Sequence, residues 1–147
     1  MRKGMEIGLF VGLTALDQGV KLLTAHRTAV LIPGILRLNY TENRGFSLGL
    51  FDGAMLPAIL ISLVIFAGLA AVLIRLPRTS PLRVPLICMC AGALGNLIDR
   101  VFLGYVRDMF ELLFVRFYVF NPADMYVTLG AAACAVLLLK ADRKERA

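Results

Sequence analysis

The sequence predicts an all-α membrane protein of four transmembrane helices, with a small extracytoplasmic β-cradle between helices 1 and 2. Three observations carry that prediction. Hydrophobic residues make up 59% of the 147 and charged residues 18%, with a mean hydropathy of +0.79. A water-soluble domain of this size would lack the polar side chains to cover its surface, whereas a bilayer accepts apolar ones. Four apolar runs each reach about twenty residues, the length a helix needs to cross a membrane. The lysines and arginines, which give a formal net charge of +6, gather at the ends of those runs. At this length the chain is expected to be a single integral membrane domain spanning residues 1–147.

The first span runs from about Gly4 to Leu23 and carries Asp17 and Lys21 near its far end. It follows Met-Arg-Lys, as a signal peptide would, but no small-x-small cleavage site ends a clean apolar core. The segment is expected to be retained. Residues 24–54 form the first extracytoplasmic segment. There the Pro33-Gly34 turn signal precedes a β-leaning alternation, and Glu42-Asn43-Arg44-Gly45 reads as a second turn. A small sheet resting on the membrane surface is therefore expected around Ile35 to Phe51. The second span, about Met55 to Ile74, contains no charge, and the third, about Val84 to Leu103, is apolar until Asn96, Asp99 and Arg100. In the following segment, 104–121, Glu111 to Tyr118 is aromatic and apolar but too short to cross. It is expected at the interface, with Phe110, Phe114, Phe117 and Tyr118 at headgroup level. The fourth span runs from about Pro122 to Leu139, with Asp124 near its start.

Orientation follows from the basic residues. Arg2, Lys3, Arg75, Arg78, Arg83, Lys140, Arg143, Lys144 and Arg146 fall on one side in short segments. Arg27, Arg37, Arg44, Arg107 and Arg116 fall on the other, diluted by Glu42, Asp52 and Glu111. The positive-inside rule then makes both termini cytoplasmic. No nucleic-acid partner is expected, because the cations do not cluster on one face. Cys88, Cys90 and Cys134 all sit inside apolar runs, so neither a disulfide framework nor a metal site is expected.

Polar residues inside a membrane are costly and mark an interior site. Here they gather towards one end of three spans. Asp17 and Lys21 are four apart on the first, so acid and base share a face and support the fold by neutralising one another. Asn96, Asp99 and Arg100 end the third, where Asp99 beside Arg100 reads as a structural or positioning pair. Asn121 and Asp124 begin the fourth, and Asp108 follows the third on the same side. His26 is the one histidine and lies in a loop, which leaves no Ser–His or Cys–His arrangement. What remains is a pair of carboxylates, Asp108 and Asp124. Two close carboxylates share a proton, so one can activate a water while the other, protonated, polarises a carbonyl. The same residues could line a proton or ion path in a small proton-coupled transporter or channel, and the residues alone leave both readings open. A non-enzymatic scaffold would leave the cluster unexplained.

Four blocks resemble the lipoprotein signal peptidases (signal peptidase II), a family of bacterial membrane aspartic proteases. They are Asp17-Gln18-Gly19-Val20-Lys21, Asn43 through Gly49, Gly92 through Arg100 continuing into Gly104-Tyr105-Val106-Arg107-Asp108, and Phe120-Asn121-Pro122-Ala123-Asp124. They occur in the family's order and cover essentially the whole chain. The sequence departs from the family pattern at Phe46-Ser47-Leu48 and at Met109, where phenylalanine is usual. The resemblance implies Asp108 and Asp124 as the catalytic pair, with Asn43, Asn96, Arg100 and Asn121 positioning the substrate. It gives Asp17, Lys21 and Asp99 supporting roles and requires no metal or other cofactor. It implies lipid-modified prolipoproteins as substrates, cut just before the lipidated cysteine, and cyclic peptide antibiotics as inhibitors. A monomer in contact with membrane lipid is expected, in the bacterial cytoplasmic (inner) membrane, with its active site on the extracytoplasmic side.

Overall fold

The computed structural model describes residues 2–45 and 55–145. Its elements follow one another as α1 (Lys3–Thr24), β1 (Thr28–Ile32), β2 (Leu36–Asn43), α2 (Met55–Arg75), α3 (Arg83–Leu103), β3 (Val106–Leu112) and α4 (Pro122–Glu145). All four helices are long and apolar enough to cross a membrane. Helix α2 shows why: its twenty-one residues run without a charge until Arg75, and only Ala58 and Ser62 are buried against protein. Much of the rest of its surface is apolar and exposed, as in Val64 and Ile74. Such a face is stable only against lipid, where a helix already satisfies every backbone N–H and C=O internally.

Helix α3 is the core. It packs against α1, α2 and α4, and half of its spanning window is buried, against about a tenth for α1 and α2. The α3–α4 contact is close because Gly92 faces the backbone of Ala123 and the Val127 side chain, where a Cβ would collide. Small residues at such a crossing let two helices approach to backbone distance. Helix α3 ends at Gly104, whose φ of 78° is left-handed and whose N–H donates to the Arg100 carbonyl. This glycine cap reverses the chain within two residues, so that β3 starts at Val106.

The three strands form one antiparallel sheet in the order β1-β2-β3. The expectation of strands only between the first and second helices is corrected here: the third strand comes from between α3 and α4 and pairs along β2. Part of the segment expected to lie at the interface, Glu111 and Leu112, belongs to that strand, while Leu113 to Tyr118 carry no regular structure. Glu42 and Asn43, read as the start of a turn, are instead the last residues of β2. The expected sheet residues Phe46 to Phe51, and the residues of the family block beyond Gly45, lie outside the described residues. Pairing explains the difference. A strand of seven residues whose partner lies more than sixty positions away leaves no local signal, and Arg37 opposite Glu111 secures the register with a 2.7 Å ion pair.

At the opposite end of the bundle from the sheet, α1, α2 and α3 are stapled together. Arg83 donates to both oxygens of Glu6, at 2.7 and 2.8 Å, and to the Leu73 and Leu76 carbonyls, at 2.8 Å each. Those carbonyls lie at and just past the C-terminal end of α2, which has no further helical N–H to use.

The crossing of α3 and α4 predicts a contrast between two glycines. Gly92→Ala forces the backbones apart and should cost about 2 kcal/mol or more, lowering Tm by several degrees. Gly68→Ala, where a Cβ meets nothing within 4 Å, should be neutral or slightly stabilising. Thermal unfolding of the two purified variants in one detergent checks both.

Candidate active site

Asp108 is the third residue of β3 and stands opposite Thr41 of β2. Residues two apart on a strand share a face, so Asn43 lies diagonally across from it. Its amide N–H donates to one Asp108 oxygen at 3.0 Å. The other oxygen accepts from the Asn121 side-chain amide at 2.5 Å. Asn121 reaches it because the chain before α4 pairs back on β3: Phe110 and Phe120 exchange two backbone hydrogen bonds, at 2.8 and 2.9 Å, and their rings lie 5.8 Å apart.

Asn121 is also the N-cap of α4. Its side-chain oxygen accepts from the Asp124 N–H at 3.0 Å, and the Asp124 carboxylate accepts from the Asn121 N–H at 3.2 Å. This reciprocal arrangement is a capping box, which satisfies two backbone donors at a helix start, and Pro122 occupies the first helical position that tolerates it best. One residue, Asn121, therefore holds both carboxylates: Asp108 through its side-chain amide and Asp124 through its backbone N–H. The remaining Asp124 oxygen accepts from Asn96 of α3 at 2.7 Å.

Behind Asn96 lies a set of fully buried charges. Lys21 donates to the Asn96 oxygen at 2.9 Å and pairs with Asp17 at 3.0 Å and Asp99 at 3.4 Å. Asp17 also accepts the Ala123 N–H of α4 at 2.9 Å. Asp99 is held by Arg107, through a 2.7 Å ion pair and the Arg107 backbone N–H at 3.0 Å. Gln18 donates to Asp17, to the Gly95 carbonyl and to Asp99, and accepts from Arg107 at 2.8 Å.

The structure therefore brings Asp17, Lys21, Asn43, Asn96, Asp99, Asp108, Asn121 and Asp124 into one connected network. The sequence reading of Asp99 with Arg100 as a pair is corrected. Adjacent helical residues point in different directions, so Asp99 turns to Lys21 and Arg107 while Arg100 turns to the Gly45 carbonyl at 3.4 Å. Arg100 still feels the charges of Asp124, Asp108 and, without a direct ion pair to it, Asp99. Arg107 and Gln18 had no individual role in the sequence reading. Arg107 looked like one more loop cation, and only strand alternation, placing it on the face opposite Asp108, could have turned it inward.

The two carboxylates differ in access. Asp108 is 2% exposed, while Asp124 is only partly buried. Burial pushes the Asp108 carboxyl up to about 7, reinforced by the Asp124 charge and opposed by the hydrogen bonds from Asn43 and Asn121. A carboxyl that stays protonated near neutrality can donate to an oxygen, and one beside it that ionises can take a proton from water.

The Lys21 network predicts a rescue. Lys21→Met leaves Asp17 and Asp99 without their shared cation and should cost about 3–5 kcal/mol. Adding Asp17→Asn removes one of the stranded charges and should recover part of that loss. Thermal unfolding of the single and double variants measures it, and a double variant no more stable than Lys21→Met would oppose the electrostatic account.

A family model described as signal peptidase (SPase) II matches residues 9–140. The lipoprotein signal peptidase of Streptococcus thermophilus is 34% identical over 148 residues, covering 97% of each chain. That of Clostridium acetobutylicum is 37% identical over 120 residues, 78% of each. A bacterial membrane enzyme solved by the in meso method at 2.3 Å resolution superposes with a TM-score of 0.86 at 29% identity, over 94% of this chain and 89% of that one. With a helical membrane fold, a buried polar site at the helix ends and a match along almost its whole length, the chain belongs to the signal peptidase II family.

Proposed function

We propose that this chain is an aspartic endopeptidase of the bacterial inner membrane that removes signal peptides from prolipoproteins, with Asp108 and Asp124 as its catalytic pair. The observation that carries the reading is the Asn121 bridge, which holds two carboxylates of unequal access beside one another at the helix ends. The substrates are diacylglyceryl-modified prolipoproteins, cut just before the lipidated cysteine. Their lipid fixes the scissile bond near the membrane surface, at the depth of the ends of α3 and α4. Both termini are cytoplasmic and the dyad faces the extracytoplasmic side, with the sheet resting on the membrane there.

The chemistry needs two carboxyls and a water. Asp124 as carboxylate takes a proton from the water as its oxygen adds to the peptide carbonyl carbon. Asp108, protonated, donates its hydrogen to the carbonyl oxygen, giving a neutral gem-diol. Collapse then breaks the C–N bond: the amine nitrogen takes the proton held by Asp124, and a diol hydroxyl returns one to Asp108. Asn43 and Asn121 keep the Asp108 oxygens in place, and Asn96 does so for Asp124. Arg100, which feels the charge of both, balances charge and holds a substrate carbonyl. The enzyme works as a monomer among membrane lipids, and cyclic peptide antibiotics of the kind that inhibit this family would occupy the same site.

No observation favours a proton pathway. On α1 the stretch from Ile7 to Leu16 carries one polar side chain, Thr14, between Glu6 and Asp17. At 1.5 Å per residue that leaves about 16 Å without a titratable group on that helix.

Two measurements test the assignment with purified enzyme and a lipidated prolipoprotein in detergent. Asp108→Asn and Asp124→Asn should each lower kcat by about a thousandfold or more while the protein stays folded and binds substrate; normal turnover by either would end the dyad assignment. The pH profile should also fall above about 7, roughly tenfold per unit, as Asp108 loses the proton it must donate. Asn43→Ala removes a hydrogen bond that favours the ionised carboxyl, so it should move that alkaline limb to higher pH.

A further inference from the structure

The staple of Glu6, Arg78 and Arg83 borders a cavity that the protease reading does not use. Helices α1 and α2 each pack on α3 rather than along one another, which leaves a groove between them floored by α3. At the Glu6 end this groove widens into a cavity of about 320 Å³. Its walls are apolar, with Phe10 from α1, Phe66 and Leu73 from α2, and Ile87 from the α3 floor. Its mouth is not: Lys3, Arg78 and Arg83 surround the single carboxylate of Glu6. Glu6 accepts from both arginines, and the residues lining the cavity carry three cations against that one carboxylate. Arg83 is buried and committed to the helix ends, whereas the Arg78 side chain is half exposed and Lys3 is exposed.

From this we infer that the α1–α2–α3 groove is a binding site for one anionic phospholipid, its phosphate on Lys3 and Arg78 and an acyl chain against Phe10, Phe66 and Leu73. Charge complementarity selects the headgroup. A phosphate at the mouth offsets the cation excess, and at the edge of a bilayer each lysine or arginine adds appreciably to the attraction of an anionic lipid. The apolar walls select a lipid over a soluble anion, because the groove lies between two spanning helices and opens to the hydrocarbon. The polar rim marks where the spans end, at headgroup depth, with the chain length running inward along α2. An acyl chain there would fill a space that α1 and α2 leave unpacked, and would tie both to α3 at the end remote from the dyad. The inference rests on the chain spanning a bilayer and not on the assignment of Asp108 and Asp124, so the two can fail separately.

The experiment uses the full chain, delipidated in a mild detergent and titrated with phosphatidylglycerol or phosphatidylcholine, with bound lipid counted by native mass spectrometry. One phosphatidylglycerol should be retained in preference to phosphatidylcholine. Lys3→Ala with Arg78→Ala, which leaves the Arg83–Glu6 pair in place, should reduce that preference about tenfold at low salt. Ala70→Phe, which fills the groove from α2, should reduce retention of both lipids; an unchanged thermal transition shows that each variant is folded. Equal retention of the two lipids, or an undiminished preference in the double variant, would overturn the proposal. So would unchanged binding in Ala70→Phe. Displacement of phosphatidylglycerol by millimolar inorganic phosphate would instead mark a free-anion site and overturn the lipid assignment.

Discussion

The rest of this structure depends on one buried cation. Lys21 is fully enclosed, in a region where an isolated charge would be far too costly to keep. It is tolerable because Asp17, Asp99 and Asn96 close around it, and those residues sit on α1 and α3. Asp17 then uses its second oxygen to accept a backbone N–H from the first turn of α4, one of the donors a helix start cannot satisfy itself. Three helices are thereby set in axial register by hydrogen bonds that have few alternatives. Lipid-facing apolar surface cannot do this, because one sliding position of such a helix is about as good as the next.

Register is what the site needs. The carboxylates come from different elements, one from a strand that follows α3 and one from the first turn of α4. Each reaches its place by a local device: the left-handed Gly104 cap that turns α3 into β3, and the Phe110–Phe120 bridge that lays Asn121 against the strand. The charges then nearly cancel. Lys21, Arg100 and Arg107 face Asp17, Asp99, Asp108 and Asp124, so a single proton on the pair at the end of the network brings it to neutrality. The raised Asp108 value is the local expression of that balance, with burial as its main cause.

Much of this could be read from the chain alone, and what could not has physical reasons. The four apolar helices announce themselves, because nothing else accommodates runs like Met55 to Ile74. The gathering of Asp17, Asn96, Asp108 and Asp124 followed from the alternation of helix direction. The sheet was half legible. Strand β1 is exposed along its whole length and so shows no inside–outside alternation. Strand β3 has protein on both faces at its first four residues, which erases the alternation again. Glu6 was invisible for another reason: it sits apart from the Asp17–Lys21 pair of its own helix, and its partners Arg78 and Arg83 are more than seventy residues on. Such pairs exist only once the bundle has formed.

The capping box at Asn121 and Asp124 has one more consequence. The groups that start the fourth helix are the same groups that hold the two carboxylates together, and Asn121 meets Asp108 only when Phe120 has docked on the strand. A chain still being inserted, with its last segment unfolded or misplaced, therefore carries both aspartates but not the pair. On the proposed assignment of Asp108 and Asp124, cleavage then awaits completion of the bundle, and half-assembled copies in the membrane are inert rather than indiscriminate.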